Sequence, residues 1–403
     1  MNAPEKPRIA FWFRYGPAEH TILFHCIPQI IELLARDCTV HYYGMRGARP
    51  IPESIRRNAR LHLLPLFVNR TNTADKIIKT MLWLLLLPLI GLHCRLQKID
   101  AVYIDETIPL TAGLARLFFG KRVALTVTDF FMNIYAGRTP VLRPLCKLVN
   151  HLDMAAWRKL PLIFTRAKAT RDFLEKCGVP PGNIFPVYDP CDLSIYHPAD
   201  KAECRKAFGF GPGEIVLVHH GILHPNKGND RIIAAMPALL EKCPQLRLLL
   251  VGDGPELPRL KQMAAENKLE KHVTFTGWLK ELPEVNRALN AGDIGLVMRS
   301  GLATDHFAMT GALIHAMACG LPILAVRLRS IEEVIRDGQN GFLFDPENMD
   351  EFGEKLLRLA RDPALRGAFS QQTLNAARAL FDMHTVARQT AEPLLNLCKL
   401  NRQ

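Results

Sequence analysis

The chain has 403 residues, 48% of them hydrophobic, which is long enough for two or three domains with sizeable cores. Its net charge of +12 is uneven: residues 1–200 hold 26 Lys and Arg against 16 Asp and Glu, a balance of +10, and the remainder holds 25 against 23, a balance of +2. A basic first half suits an anionic partner such as a lipid headgroup or lipid diphosphate, unless it is simply a basic surface; nucleic acid is set aside because the basic residues do not cluster with aromatic stacking platforms.

Ten cysteines are scattered at 26, 38, 94, 146, 177, 191, 204, 243, 319 and 398, without C-x-x-C or Cys/His ligand spacing. Neither a zinc site nor a disulfide framework is indicated, and no metal or cofactor is required. The pattern suits a reducing cytosol. The opening MNAPEKPR lacks the apolar region of a signal peptide, so a cytoplasmic location is expected.

In chain order, RIAFWF reads as a buried strand. PQIIELLARD reads as a helix with Ile27, Ile30, Ile31 and Leu34 on one side, and TVHYYG as a strand ending in Gly. The run MLWLLLLPLIGL, residues 81–92, lies between Lys79 and Arg95. It is shorter than the roughly 20 residues a bilayer crossing needs, and Pro88 and Gly91 interrupt it. It reads either as a buried helix or as a monotopic membrane contact with its basic neighbours at the headgroups. Next come the strand AVYID, a helix over about 110–119, the strand RVALTVTD and a helix within 141–160. The strand PLIFTRA and the helix KATRDFLEKCG follow. Strands alternating with helices imply an α/β chain with parallel sheets. NIFPVYDPCD closes a first domain, 1–195. HPADKAECRKAFGFGPG, rich in Pro, Gly and charge, opens a second, 196–383. Residues 384–403 form a final helical tail.

The second half is the more informative. IVLVHHG leads into LHPNKGND and a helix over about 231–240. RLLLVGDGP, a helix, VTFTGW and IGLVMRSG follow, then GALIHAMACGLPILAV and EEVIRDGQNGFLF. These strands end in Gly, Asp or Asn just before helices. Open α/β sheets bind ligands at those strand ends, and helix N-termini there offer free N–H groups to phosphate. Lys227, beside Gly228, can meet a diphosphate as a point charge. Gly221, Gly252 and Gly277 permit tight turns and close ligand approach, though plain structural turns explain them equally. His224 and Asp253 are polar neighbours in those turns, Trp278 reads as either a base contact or core, and Thr310 and Gly311 mark a helix start.

The order and wording of these pieces resemble the retaining glycosyltransferases of family 4, the glycosyl transferases group 1, clearly in the second half and weakly in the first. The resemblance implies the GT-B fold, with two Rossmann-like domains whose parallel sheets face across a cleft and a last helix returning to the first domain. It implies a nucleotide-sugar donor, a glycan or lipid-linked acceptor, and a lysine, matched by Lys227, that neutralises the departing nucleoside diphosphate. The family's partner arginine, five residues earlier, is Ile222 here. Its two glutamates, eight residues apart, fall on Phe307 and His315. Asp305 is then the acidic group left to meet the donor sugar, and His315 the group for the ribose. A histidine accepting a ribose bond must be neutral on the bonding nitrogen, so donor affinity is expected to fall as pH drops through the histidine range, near 6.5 for an unperturbed ring. Glu333 aligns with a family glutamate whose preceding glycines are Arg329 and Ser330 here. In the first domain the Gly-rich loop keeps Gly16, with His20 after it. Thr128 and Asp129 stand at the end of TVTD, where the family often has a histidine.

The reading is a nucleotide-sugar-dependent glycosyltransferase of the cytoplasm, peripheral on the inner face of an anionic membrane. A non-catalytic relative serving as a partner subunit, or a nucleotide-sugar epimerase or phosphorylase of the same fold, is the alternative.

Overall fold

The computed structural model describes residues 5–17, 26–47, 50–65, 73–105, 108–128, 143–307 and 309–400. The chain divides into two compact units: residues 1–190 with 383–403, and residues 191–382.

The first unit holds β1 (Arg8–Trp12), α1 (Ile27–Ala35), β2 (Thr39–Met45), α2 (Glu53–Asn58), β3 (Ala59–Leu64), α3 (Thr73–Leu96) and β4 (Ala101–Ile104). It continues with α4 (Thr111–Phe119), β5 (Val123–Val127), α5 (Arg143–Trp157), β6 (Leu162–Thr165), α6 (Lys168–Lys176) and β7 (Ile184–Pro186). The strands form one sheet in the order β3-β2-β1-β4-β5-β6-β7, and each neighbouring pair is parallel. Such a sheet needs both faces covered. Alternation along β1 does this: Ile9 and Phe11 join one core with α1, and Ala10 and Trp12 join the other with α3 and α4.

Residues 384–400 are indeed helical. Val386, Leu394 and Cys398 of that helix are fully buried in the core that α1 and β1 share, so it is part of this unit. Truncating a leucine at such a site to alanine costs about 2–5 kcal/mol, because the cavity only partly closes.

The apolar run differs from its sequence reading. Pro88 and Gly91 do not interrupt it, because α3 continues through both. Gly91 is small for a reason: a Cβ there would lie 2.7 Å from the ring of Phe118 on α4. The 20 residues 77–96 are long and apolar enough to cross a membrane, yet the helix is two-sided. Trp83, Leu87, Ile90 and Cys94 recur at helical spacing and are buried. Leu85, Leu89, Leu92 and Leu96 repeat the same spacing on the other side, each more than half exposed. Leu117 on α4 and Leu145 and Leu148 on α5 are also exposed, and α3 packs on α4 as α4 does on α5.

The second unit holds α7 (Lys201–Lys206), β8 (Ile215–His220), α8 (Asn229–Lys242), β9 (Leu246–Val251), α9 (Leu257–Glu266), β10 (Val273–Gly277), α10 (Leu282–Asn290) and β11 (Ile294–Val297). After these come α11 (Gly311–Ala318), β12 (Ile323–Val326), α12 (Arg329–Glu332), β13 (Gly341–Phe344), α13 (Met349–Arg361) and α14 (Pro363–Phe381); the returning helix of the first unit, Met383–Leu400, is α15. The sheet order is β10-β9-β8-β11-β12-β13, again all parallel. Arg205 anchors α7 to this sheet. Its guanidinium is buried against Asp293, which also accepts the Val216 N–H at 2.8 Å. The strand order reverses between β8 and β11, and a doubly wound sheet opens its ligand crevice at such a reversal.

Candidate functional site

Three segments meet at the carboxyl ends of β8 and β11. The first is the turn after β8. His224 N-caps the short helix Pro225–Lys227: its Nδ1 lies 3.4 Å from the Asn226 N–H, so this histidine is engaged in forming the turn. Gly228 then takes a left-handed conformation, φ +62°, and α8 starts at Asn229. A side chain at 228 would meet Met298 within about 3.0 Å, so this glycine lets the turn lie on the end of β11.

Lys227 is half-buried. Burial pushes its ammonium down to about 8. Arg299 lowers it further, and Asp305 opposes that shift. Arg299 is the main residue that sequence reasoning missed. It follows β11, and its Nη1 lies 3.2 Å from Asp305 Oδ1. The Ser300 N–H donates to Asn226 O at 2.9 Å, tying the segment after β11 to the Lys227 turn. A cation at the carboxyl end of the IGLVMRSG strand was a usable signal, of the same kind that singled out Lys227.

Asp305 does not stand free. One oxygen accepts from Arg299 and the other from the Leu302 N–H at 3.0 Å. Phe307 ends the same short helix, Ala303–Phe307. Thr310 N-caps α11, with its side chain accepting the Leu313 N–H at 3.2 Å, and Gly311 opens the helix.

His315 lies within α11. It is 4% exposed and stacked face to face on Tyr196, with ring centroids 3.9 Å apart and planes 4° from parallel. His220 also stacks on His315, with centroids 5.2 Å apart, and the two histidines approach through Nδ1 and Nε2 at 3.3 Å. Burial pushes His315 down to about 3, well below the 6.5 of an unperturbed histidine. His219 is held down to about 4 by burial, and burial also depresses His220.

The turn glycines divide into two groups. A side chain at Gly252 would strike Gly221 O at 2.0 Å, and one at Gly254 would strike Leu223 O at 2.3 Å. These two let the β8 and β9 turns run backbone against backbone, joined by Gly221 N–H to Val251 O and Leu223 N–H to Asp253 O, both 2.9 Å. Gly221 (φ +136°) and Gly277 (φ +67°) instead have open space where a side chain would stand. Asp253 turns back on the Gly254 N–H at 2.6 Å. Trp278 is 64% exposed, which excludes the core reading. Glu333 caps α12 and is half-buried, and Arg329, at the start of that helix, is exposed.

In the first unit, Gly16 and Thr128 follow β1 and β5 at the carboxyl edge of the sheet. A side chain at Gly16 would meet Gly47 N at 2.5 Å, so close backbone packing accounts for this glycine. His20 and Asp129 lie outside the described residues. The same edge carries a buried cluster that sequence reasoning missed. Asp105, after β4, accepts from Tyr103 at 2.7 Å and pairs with Arg166, after β6, at 3.2 Å. Among the described residues no group of three or more His, Cys, Asp or Glu is arranged to hold a metal ion.

Comparison with known proteins agrees with this architecture. The profile of the family described as glycosyl transferases group 1 matches residues 200–376. A GDP-mannose-dependent alpha-(1-6)-phosphatidylinositol monomannoside mannosyltransferase of Mycolicibacterium smegmatis is 30% identical over 283 residues, covering 68% of this chain and 70% of the relative. The chain belongs to the glycosyl transferases group 1 family. This glycosyltransferase is also 24% identical to an N-acetyl-alpha-D-glucosaminyl L-malate synthase of Bacillus anthracis, over 73% of the chain and 74% of the relative. In fold it is similar to HepE of Anabaena, solved with UDP (TM-score 0.71, 18% identity, 96% of this chain and 99% of that one). Sucrose-phosphate synthase of Thermosynechococcus elongatus gives a TM-score of 0.75 at 17% identity, over 98% of this chain and 100% of that one. The fold of the glycosyltransferase is GT-B, with two Rossmann-like parallel-sheet units.

Two pH effects follow from these environments. Lys227 loses its charge above about 8, so UDP or GDP affinity measured by calorimetry should weaken roughly ten-fold between pH 7 and 9, the loss of one charge-assisted contact. Lys227→Arg should flatten that profile, and a flat wild-type profile would remove Lys227 from the diphosphate site. The histidines act in the opposite direction. Their folded values lie below the ordinary 6.5 of the unfolded chain, so acid protonates the unfolded state first. Their contribution is complete above about 6.5 and is lost as pH falls towards 4. Denaturant midpoints should therefore drop between pH 7.5 and 5, and His219→Gln should reduce the drop; equal midpoints would contradict the buried neutral histidines.

Proposed function

We propose that the glycosyltransferase takes a sugar from a nucleotide-sugar donor and transfers it, with retention of anomeric configuration, to a glycan or lipid-linked acceptor. The observation that carries this reading is the half-buried cation Lys227 at the strand-order reversal of the second unit, with the charge of Arg299 acting on it. A cation in a low-dielectric crevice is suited to stabilising a leaving diphosphate, because its interaction is much stronger there than in water. The relatives' names point the same way: one is GDP-mannose-dependent and one neighbour was solved with UDP.

Retention is supported by the family resemblance, and the state of Asp305 argues against a covalent intermediate on that residue. Both its oxygens are engaged, so it is not poised as a free nucleophile. The chemistry then rests on charge placement. The bond from the sugar's anomeric carbon to the diphosphate breaks, the diphosphate leaves towards Lys227, and the acceptor hydroxyl attacks from the same face and gives its proton to the departing phosphate oxygen. Gly221 and Gly277, open where side chains would stand, and the exposed Trp278 suit the nucleoside end of the donor. Thr310 and Gly311 present the start of α11 to the same crevice. The acceptor is assigned to the carboxyl edge of the first unit's sheet, near Gly16 and Thr128.

The first unit is further assigned to an anionic membrane surface. The exposed leucines of α3, α4 and α5 form an apolar face of a kind that soluble surfaces rarely leave uncovered. Arg95, Arg116 and Lys147 lie on the same helices, in a half of the chain with a balance of +10. With Trp83 and Leu87 fixed in the core, α3 lies on the bilayer and does not cross it.

A panel of nucleotide sugars should contain one that raises the melting temperature, because binding to the folded state alone stabilises it. Proton NMR of the product should then show the anomeric configuration of the donor. An inverted product would refute retention, and no stabilisation by any nucleotide sugar would favour a non-catalytic relative. For the membrane, the protein should float with vesicles containing anionic lipid and be released by salt. Leu85→Glu with Leu89→Glu should cut binding at least ten-fold, each buried leucine being worth about 1.5–3 kcal/mol. Flotation unchanged by the pair would remove this face from the contact.

A further inference from the structure

One lysine is a weak match for a diphosphate, and the family's second cation is missing. Its position is Ile222, which is 57% exposed and carries no charge. The structure supplies a cation elsewhere. We infer that Arg299 is the second diphosphate-binding cation of this protein and that Asp305 is its resting counterion, exchanged for the diphosphate when the donor binds. The inference rests on the donor-site reading of the Lys227 crevice and adds a residue and a device to it.

Four observations converge. Arg299 and Asp305 are shielded from water, with side chains 15% and 4% exposed, in a molecule whose other ion pairs are mostly at the surface. The pair is joined through Nη1 alone, and among the described residues Nε and Nη2 of Arg299 carry no hydrogen bond. A guanidinium has five donors in a planar fork that matches phosphate two bonds at a time. Arg299 and Lys227 share one field: the charge of Arg299 lowers Lys227, and both lower His219. The backbone places them together, because Ser300 N–H bonds Asn226 O at 2.9 Å and Met298 packs on Gly228. Gly301, at φ +76°, makes the turn that follows possible.

The fourth observation points to a ligand. Ser300 Oγ and both amide atoms of Asn229 are buried and have no hydrogen-bond partner among the described residues. Buried polar groups without partners are rare and costly. Ser300 follows Arg299 directly and Asn229 stands two residues after Lys227, so each belongs to one of the two cation-bearing segments. A phosphate oxygen could accept from the Ser300 hydroxyl and from Asn229 Nδ2, whereas Asn229 Oδ1 calls for a donor.

Asp305 explains how two cations rest side by side in a dry crevice: its carboxylate offsets their repulsion. Once a diphosphate arrives the same carboxylate becomes a competitor. It keeps the Leu302 N–H at 3.0 Å, while the guanidinium turns its fork to phosphate.

The two substitutions therefore have opposite signs. Calorimetry on the full chain with UDP and GDP should show Arg299→Ala weakening binding by about 10–100-fold, the range for a charge-assisted contact. Asp305→Asn keeps an acceptor for Leu302 and removes the competing charge, so it should tighten binding several-fold. Uridine and guanosine, which lack phosphate, should bind all variants alike. Should Arg299→Ala fail to fold, Arg299→Lys retains the charge without the fork and should lose several-fold. Unchanged diphosphate affinity in both Arg299 variants overturns the inference. So does weaker binding in Asp305→Asn, which would make the pair a structural brace. If no nucleoside diphosphate binds the wild-type protein, the donor-site reading itself fails, a result distinct from a loss confined to the Arg299 variants.

Discussion

β8 and β11 lie side by side although β9 and β10 come between them in the chain, and the candidate site depends on that pairing. Parallel pairing sends both strands in the same direction, so both release their following loops at one edge of the sheet. The reversal of strand order sends those loops apart over opposite flanks and leaves a crevice between them. One loop carries Lys227 and the other Arg299. The contact of Ser300 with Asn226 holds the two together across the gap. Without the reversal, the two cations would be ordinary surface charges.

Burial then sets the chemistry. Lys227 is shielded enough to lose proton affinity yet keeps its charge at neutral pH. Nearby His219, His220 and His315 are kept neutral by the same dryness, so the positive charge of the crevice is concentrated on Lys227 and Arg299. Tyr196 stacks on His315 and makes that ring a fixed wall. A site of this kind acts through preorganised charge, which needs no side chain to change partners beyond the Arg299–Asp305 exchange.

Much of the fold was legible because its signals are local. RIAFWF, AVYID and IVLVHHG are continuous apolar runs of the kind a sheet covered on both faces requires, and Gly and Pro mark the turns between them. Lys227 was legible because it stands between a strand and a helix beside a glycine. The segment of α2 and β3 carries a weaker signal: β3, ARLHLL, alternates Arg60 and His62 with Leu61 and Leu63 and has no continuous apolar run. Pro88 and Gly91 misled by composition: Gly91 answers to the ring of Phe118, a contact across helices that no local pattern shows. His315 was only partly legible: a polar residue in the small-residue helix GALIHAMACG is compatible with a ligand or with a stacked core, and its stacking on Tyr196 is a contact between distant parts of the chain. Arg299 is not legible from the family pattern, because the family's own cation position is Ile222 here and Arg299 stands at a different strand end.

The most direct measurement is a crystal structure with a nucleoside diphosphate bound. The account predicts the diphosphate at the carboxyl ends of β8 and β11, with Lys227 Nζ and two Arg299 nitrogens at about 3 Å from its oxygens. Ser300 Oγ and Asn229 should face the same group, and Arg299 should have left Asp305. A diphosphate bound away from Lys227, or one bound there while Arg299 stays on Asp305, would contradict it.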